Sequence, residues 1–250
     1  IISVDSHNDC TISNSIFKNN SAKDANAIYF KTGEYTDFYI TDSQFIDNHN
    51  VAYKNYSIVS EAREFIFEKS SFDFANRFES SSSIRTESIT TITKSHFHNS
   101  CVLDTSMAET IFVDPSVEQI TISETIFEDC GVGGNGYNVI KLNSPSAIIK
   151  NSVINFTDNS GSGAIINNQP NSKYLACKPI YIYRYCDLYL YGNRFTKSLG
   201  NGCFYYKPTF GNKDEENVHI EKNIFEQCIG ASPRAMCVEL QPSNITFYNN

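Results

Sequence analysis

Short stretches in which apolar and polar side chains alternate recur along this chain at nearly regular intervals. In the segment ITISETIFEDC, Ile120 and Ile122 alternate with polar residues, a small polar residue follows at Thr125, and Phe127 returns to the apolar face. Alternation of this kind places every second side chain on one face of a β-strand. The segment therefore predicts a short strand with Phe127 on its buried side.

The same pattern, apolar-x-apolar-x-x-(Ser/Thr/Asn)-x-Phe, returns down the whole chain. Its small polar position is held by Ser15, Ser43, Ser70, Ser95, Thr125, Ser152, Asn193 and Asn223. Its Phe position is held by Phe17, Phe45, Phe72, Phe97, Phe127, Ile154, Phe195 and Phe225. Successive Phe positions lie 25 to 30 residues apart, except for one step of 41. Self-similarity on this scale indicates a stacked repeat fold.

The residue types decide which repeat fold is expected. Leucine-rich repeats need Leu at several fixed places, whereas Phe, Ile and Ser hold the fixed places here. Further strand-like runs lie between the copies, among them Thr110–Val113 and Gly163–Ile166, and helical blocks are missing. The pattern predicts an all-β solenoid, a parallel β-helix of about nine coils of 25–30 residues each. We expect one domain over 1–250, with an insertion around 167–187, as part of a longer array because both ends cut into a copy.

Equivalent positions of a solenoid lie above one another from coil to coil. The Ser/Thr/Asn positions should therefore form a ladder of hydrogen-bonded small polar groups at one corner. The Phe positions should form an aromatic stack in the interior, and each ring should contribute about 2 kcal/mol of transfer free energy.

The charge narrows the range of partners. The net charge is -8 and the pI is about 5.1, and such an acidic chain is a poor binder of nucleic acid. No apolar run reaches the roughly 18 residues of a membrane span. The chain does not open at Ile1 with a charged and then apolar leader, so we expect any secretion signal to have been removed or to lie upstream.

Eight cysteines favour an oxidising compartment. The repeat register predicts three disulfides, Cys101 with Cys130, Cys203 with Cys237, and Cys177 with Cys186. Cys10 and Cys228 are seven coils apart, too far to bond with each other, and their state stays open. No CxxC or HxxxH spacing indicates a metal site, and no cofactor is expected.

Several short motifs resemble those of a known superfamily. The chain looks like a member of the right-handed parallel β-helix superfamily that includes pectate lyases and many surface adhesins. The FxxN segments Phe17–Asn20, Phe45–Asn48 and Phe156–Asn159 are similar to repeats of polymorphic outer-membrane-type surface proteins, and 161–165 nearly matches their GGA(I/L/V) motif. The resemblance implies a single-stranded right-handed β-helix with a role at the cell surface.

Catalytic motifs are missing from the sequence. Lyases of this superfamily need clustered carboxylates for Ca²⁺ and an Arg or Lys base, and adjacent copies do not keep three acids in register at the repeated corner. The hydrolase DD and GHG steps are absent, as are GxSxG and phosphate loops. GVGGNG at 131–136 is interpreted as a turn.

The most unusual stretch is KYLACKPIYIYRYCDLYLY, in the long step. Tyr181, Tyr183, Tyr185, Tyr189 and Tyr191 share parity, whereas Leu188 and Leu190 hold inward positions. A row of outward tyrosines beside Arg184 and Asp187 could stack on sugar rings or anchor a partner protein. The alternative is that the inserted residues fold over these rings and form a second small core.

Four N-x-(Ser/Thr) sequons occur, at Asn19, Asn55, Asn155 and Asn244. Asn19 and Asn155 lie just past the aromatic corner, where exposed turns are expected, so they are the preferred glycosylation acceptors.

The sequence thus predicts an extracellular or cell-surface domain without catalysis, acting in adhesion or as a rigid display element and binding carbohydrate or protein laterally. One alternative is a polysaccharide lyase or hydrolase of the pectate-lyase-like fold. Another is the subunit of an extracellular filament, assembling end to end through open coil edges.

Overall fold

The computed structural model describes 2–22, 25–32, 35–50, 56–74, 82–98, 109–128, 130, 138–142, 146–150, 153–155, 178–184, 187–196, 199–200, 204–210, 217–226, 229–230, 236–238 and 244–250. Every regular element within these residues is a β-strand. None of the described residues belongs to a helix that could cross a membrane.

Three parallel sheets, named A, B and C, form the walls of the molecule. Sheet A contains β1 (Ile2–Ser6), β5 (Ala25–Thr32), β9 (Tyr56–Glu61), β12 (Ser82–Thr86), β15 (Glu109–Val113), β18 (Asn138–Leu142), β21 (Lys178–Arg184), β25 (Phe204–Phe210) and β29 (Met236–Val238). Sheet B contains β2 (Cys10–Ser13), β6 (Asp37–Thr41), β10 (Glu64–Glu68), β13 (Ile89–Thr93), β16 (Gln119–Ser123), β19 (Ser146–Lys150), β22 (Asp187–Tyr191), β26 (Asn217–Glu221) and β30 (Asn244–Tyr248).

The third wall is built from shorter strands. Sheet C contains β3 (Ile16–Lys18), β7 (Gln44–Ile46), β11 (Ser71–Asp73), β14 (His96–His98), β17 (Ile126–Glu128), β20 (Val153–Asn155), β23 (Arg194–Thr196) and β27 (Ile224–Glu226). Two small pairs complete the described strands, β4 (Ser21–Ala22) with β8 (His49–Asn50) and β24 (Leu199–Gly200) with β28 (Ile229–Gly230).

Neighbouring strands in each wall come from consecutive copies of the sequence pattern. In sheet B, Ile92 pairs with Ile122 of the next copy and with Phe67 of the previous one, in parallel register. Along the described strands the chain therefore passes through sheets A, B and C in turn, and after eight such passes it ends in sheet B with β30. The predicted all-β class and the parallel solenoid are confirmed.

The predicted aromatic stack lies inside the solenoid. Phe17, Phe45, Phe72, Phe97 and Phe127 are stacked ring on ring along sheet C, with centroid distances of 4.7–5.3 Å. Phe195 and Phe225 repeat the arrangement at 4.9 Å. The stack joins Phe30, Phe38, Phe65 and Phe67 and the inward Ile residues in one buried core.

The predicted polar ladder also forms, at the corner between sheets B and C. The Oγ of Ser43 accepts a hydrogen bond from the backbone N–H of Ser15 at 3.2 Å, and it donates one to the carbonyl oxygen of Thr41 in the same coil at 2.8 Å. The Oγ of Ser70 accepts the backbone N–H of Ser43 and donates to the carbonyl oxygen of Glu68 in the same way. Ser95 and Asn223 likewise accept an amide N–H of the coil before them. These bonds pair amides that would otherwise be buried without an acceptor.

A backbone turn that the sequence analysis did not name accompanies the ladder. The residue before each described ladder position has a φ between 47° and 64°, in the left-handed region. These residues are Asn14, Asp42, Lys69, Lys94, Glu124, Gly192, Lys222 and Asn249. Gly, Asn and Asp adopt the left-handed region at little cost in conformational free energy, whereas the cost is higher for Lys and Glu. Half of the turn positions therefore carry no sequence signal for the turn.

An ion pair between the buried Asp37 and the half-exposed Arg63 holds the start of strand β6. Asp37, which is 5 % exposed, accepts hydrogen bonds from Arg63 Nε at 2.9 Å and Nη2 at 2.6 Å, and from the Tyr39 hydroxyl at 3.2 Å. The hydrogen bonds from Arg63 lower the pKa of Asp37 below its ordinary value of 3.8, although burial opposes the shift. The ionised carboxylate therefore stabilises the folded state.

This pair predicts a specific pH dependence. Because the pKa is lower in the folded state, Asp37 contributes stability above its unfolded pKa near 3.8 and loses it as the pH falls through the folded value. Asp37→Asn should lower the urea midpoint at pH 7, and the gap from the wild type should close steadily below about pH 4. Urea unfolding from pH 7 to pH 2 measures both.

The matched control is Glu226→Gln. Glu226 forms an exposed pair with Arg194 at 2.7 Å, and exposed pairs contribute little. A gap between wild type and Asp37→Asn that stays constant through the acid range would contradict the assignment of this effect to the ionised carboxylate.

Candidate functional site

The predicted binding stretch contributes to sheet B through β22. Leu188 and Leu190 are buried in the core at 2 % and 0 % exposure, and Tyr189 and Tyr191 are half-buried on the outer side. This is the orientation that the register predicted for these four residues. Their identity as ligand-binding residues stays a prediction.

Tyr189, Tyr191, His219 and Lys222 form a continuous surface, which we call the aromatic face. The two tyrosine rings are nearly parallel, at 6°, with centroids 5.8 Å apart. His219 of the next coil lies 6.0 Å from Tyr189 because the two residues pair in register. One coil further, Tyr248 occupies the column of Tyr191 and is 56 % exposed.

Lys222 fixes the edge of the aromatic face. Its Nζ donates to the Tyr191 hydroxyl at 3.1 Å and lies 4.9 Å from the centroid of that ring. It also contacts Glu221 at 3.2 Å. The hydrogen bond to Tyr191, followed by that to Glu221, raises the pKa of Lys222, so the amine is held in its charged form. The face therefore offers flat aromatic surface next to a cation.

Two further predicted residues lie on another wall. Tyr181 and Tyr183 belong to β21 in sheet A, where Tyr181 pairs with Lys141 and with Tyr205. Arg184 ends this strand, Asp187 begins β22, and Tyr185 lies outside the described residues. The structure therefore does not place the predicted tyrosines in one row.

Strand β21 also changes the interpretation of the long step. Ile180 and Ile182 pair with Ile140 and Leu142, so Lys178–Arg184 continues sheet A. From the sequence, this strand was predicted at Gly163–Ile166, which lies outside the described residues, and 178–184 was predicted to be part of an insertion. The period-2 pattern of isoleucines was the signal, and the alternating tyrosines obscured it.

A row of carboxylates lies on the outer side of sheet A. Glu61, Glu87 and Asp114 follow one another at the ends of β9, β12 and β15, with Arg85 beside them. Arg85 bonds Glu87 and lies 3.9 Å from Asp114, and Glu61 accepts the Tyr29 hydroxyl at 3.0 Å. Burial raises the pKa of Glu87, an effect to which Asp114 and Glu61 add.

This acid row was not predicted from the sequence, because it lies away from the repeated corner. Among the described residues, no three His, Cys, Asp or Glu side chains are grouped closely enough to hold a metal ion. The row is therefore a cluster balanced by Arg85 and by Lys31, which lies 3.9 Å from Glu61.

Two of the cysteines have described side chains. Cys130 is buried, and its Sγ lies 3.3 Å from the Phe97 carbonyl oxygen and 3.4 Å from that of Glu128. Its position corresponds to that of Asn48, whose Nδ2 donates to the Phe17 carbonyl at 3.0 Å. Cys10 is a free, half-buried thiol whose pKa is raised by burial.

Each of the three predicted disulfides has at least one cysteine outside the described residues. Cys101, Cys177, Cys186, Cys203 and Cys228 lie outside the described residues. Cys237 pairs in register with Tyr205, so the predicted alignment of CFYYKP with CVELQP is wrong by two residues. The three disulfides stay predictions. The strand register no longer supports the bond between Cys203 and Cys237, because Cys237 pairs with Tyr205.

The sequons differ in their surroundings. Asn19 is exposed in a left-handed turn with a φ of 55°. Asn155 ends β20, Asn244 begins β30, and Asn55 lies outside the described residues. An exposed turn is the setting in which a bulky glycan fits most easily, so Asn19 is the best placed of the described sequons.

Comparisons with known proteins bring no relative to this site. No protein-family model matches the chain, and neither the curated proteins nor the solved structures contain a match.

Proposed function

We propose that this chain is a non-catalytic β-helical domain at the cell surface or outside the cell, where it serves in adhesion or as a rigid display element. It binds carbohydrate or a surface protein through its lateral wall. The observation that carries the proposal is the aromatic face, with two parallel tyrosine rings beside the Lys222 ammonium.

The chemistry of the aromatic face suits such ligands. Tyrosine rings stack against the apolar side of sugar rings or anchor a partner protein, and they lose little side-chain entropy because they have few rotatable bonds. Lys222 and the hydroxyl groups supply hydrogen bonds at the edge. The buried core behind β22 and β26 holds this surface in place, which reduces the entropy lost on binding.

The proposed location has its own support. The exposed sequon at Asn19 and the eight cysteines are typical of secreted proteins. The resemblance of the FxxN segments to surface-protein repeats points the same way, and Asn20 and Asn48 of these segments bond each other across the coils at 2.9 Å.

The aromatic face predicts a ligand-binding defect. The double variant Tyr189→Ala/Tyr191→Ala should weaken binding about 10- to 100-fold, because the stacking surface is removed and aromatic anchors commonly contribute more than 1 kcal/mol each. Ligands are first found on an oligosaccharide array and among extracellular matrix proteins, and affinities are then measured by isothermal titration calorimetry.

Tyr35→Ala is the matched control, since Tyr35 is 82 % exposed and lies outside this face. Equal binding by the double variant and by the control would exclude the aromatic face as the binding site. No binding of any ligand by the wild-type chain would contradict the proposed function.

A second candidate, a polysaccharide lyase or hydrolase, is favoured by the acid row. Glu61, Glu87 and Asp114 come from adjacent coils and lie beside Arg85, so acids and an arginine share one face, although no three acids of the described part of the chain are grouped closely enough to hold a metal ion. Incubation with uronate polymers separates the candidates. Release of unsaturated or reducing ends that Arg85→Ala abolishes would favour the enzyme.

A further inference from the structure

Aromatic and polar side chains alternate from coil to coil along the aromatic face. Tyr191 on β22 pairs in register with Glu221 on β26, and Glu221 pairs with Tyr248 on β30. Tyr191 and Glu221 are half-buried on the outer side of sheet B, and Tyr248 is 56 % exposed. The neighbouring residues Leu190 and Ile220 point into the core. The face therefore contains one outward column in the order Tyr, Glu, Tyr.

The spacing of this column restricts the ligands that fit it. Neighbouring parallel strands lie about 4.8 Å apart, so the tyrosines two coils apart repeat at about 10 Å along the solenoid axis. In an extended β-1,4-linked sugar chain, each ring is turned by half a turn relative to the ring before it. The same ring face therefore returns after one disaccharide unit, whose length is close to that of two coils.

The charges on the face favour an uncharged ligand. Lys222 Nζ lies 3.2 Å from Glu221 Oε1, so the ammonium and the carboxylate balance each other. The chain as a whole has a net charge of -8, which opposes the approach of a polyanionic glycan. The carboxylate of Glu221, the Tyr191 hydroxyl and the imidazole of His219 remain suited to hydrogen bonds with sugar hydroxyl groups.

We propose that the aromatic face binds an uncharged, extended β-1,4-linked glycan that lies along the solenoid axis. Alternate sugar rings pack against Tyr191 and Tyr248, and the ring between them is hydrogen-bonded by Glu221. Tyr189, whose ring lies 5.8 Å from that of Tyr191, widens the stacking surface at one end. This inference rests on the proposed function and names its ligand class. An α-1,4-linked glucan coils, so its rings do not return at the spacing of two coils.

The experiment measures how affinity depends on the length and the linkage of the glycan. The whole chain is titrated by calorimetry with cello-oligosaccharides and N-acetylated chito-oligosaccharides of two to six rings, and with malto-oligosaccharides of the same lengths. For at least one β-1,4-linked series, affinity should rise at least about tenfold from two rings to four, because only a chain of three or more rings reaches both tyrosines and gains the second aromatic anchor. The malto-oligosaccharides should show no such rise.

Tyr248→Ala should remove the gain in affinity between two and four rings. Because Tyr248 is exposed, circular dichroism should show that this variant folds like the wild type. Tyr35→Ala is the matched control, since Tyr35 is also an exposed tyrosine but lies outside the aromatic face, and it should keep the full gain. An unchanged gain in Tyr248→Ala, or an equal gain with the malto-oligosaccharides, would overturn the inference.

Failure of this inference and failure of the proposed function give different results. If neither β-1,4-linked series binds but another glycan or a protein binds the aromatic face, the inference is wrong and the proposed function stands. If the wild-type chain binds no glycan and no protein, both are contradicted.

Discussion

Replacing Phe97 with alanine is expected to lower the free energy of unfolding by about 3–5 kcal/mol, the usual cost of removing a buried aromatic ring. Phe97 is fully buried between Phe72 and Phe127, with centroid distances of 5.3 and 4.8 Å. The substitution removes contacts with both neighbouring coils and leaves a cavity that the regular backbone of the walls cannot close. Urea unfolding followed by circular dichroism measures the loss.

Ile126→Ala is the control for this substitution. Ile126 lies on the neighbouring strand β17 but points outward and is 42 % exposed, so its truncation should cost less than about 1 kcal/mol. If Phe97→Ala and Ile126→Ala were equally stable, the aromatic stack would not be the main source of cohesion between these coils.

Replacing Asn223 with alanine should cost about 2–4 kcal/mol, since each buried donor or acceptor left unpaired costs about 1–3 kcal/mol. Asn223 Oδ1 accepts the backbone N–H of Asn193 at 3.0 Å and its Nδ2 at 2.9 Å. Asn223 Nδ2 also lies 3.0 Å from the Leu190 carbonyl oxygen. Alanine removes these three hydrogen bonds from a buried site. The same urea experiment provides the measurement.

The chain itself supplies the rescue variant. Serine holds the ladder position in earlier coils, where the Oγ of Ser70 accepts the amide of Ser43 at 3.0 Å. Asn223→Ser should therefore recover the acceptor for Asn193 and part of the lost stability, without the bond to Leu190. If serine and alanine at this position were equally destabilising, the amide acceptor would have no measurable role.

The parts of the fold that repeat identically were predictable from the sequence. Phe and Ser recur at fixed spacing in consecutive copies, and burial of every second residue in a strand leaves a period that can be read without a structure. The aromatic stack at Phe45 and Phe72 and the ladder at Ser43 and Ser70 follow directly from these positions.

Other features of the structure correspond to no repeating residue type in the sequence. The left-handed turns are held by Lys69, Lys94, Glu124 and Lys222 as well as by Gly and Asn, so stacking fixes the backbone there against residue preference.

The aromatic face was predicted only in part. Tyr189 and Tyr191 were predicted because they alternate with the inward-facing Leu188 and Leu190. His219 and Lys222 were missed, although they occupy the outward and turn positions of the next copy. A site that crosses two coils becomes visible when the copies are aligned with one another, because its members are about 30 residues apart in sequence but neighbours in register.

In the polar ladder, the backbone amide of one coil is paired by a side chain of the coil that follows it in sequence. This order has a consequence for how the chain folds during synthesis. The amide of Ser15 needs the hydroxyl of Ser43, and that of Ser43 needs Ser70. A ribosome makes proteins from the amino end, so each corner emerges before the residue that completes it. The corner amide of a newly made coil can therefore be paired only after about one further repeat has been translated. The most recently made coil is thus the one most accessible to chaperones and proteases.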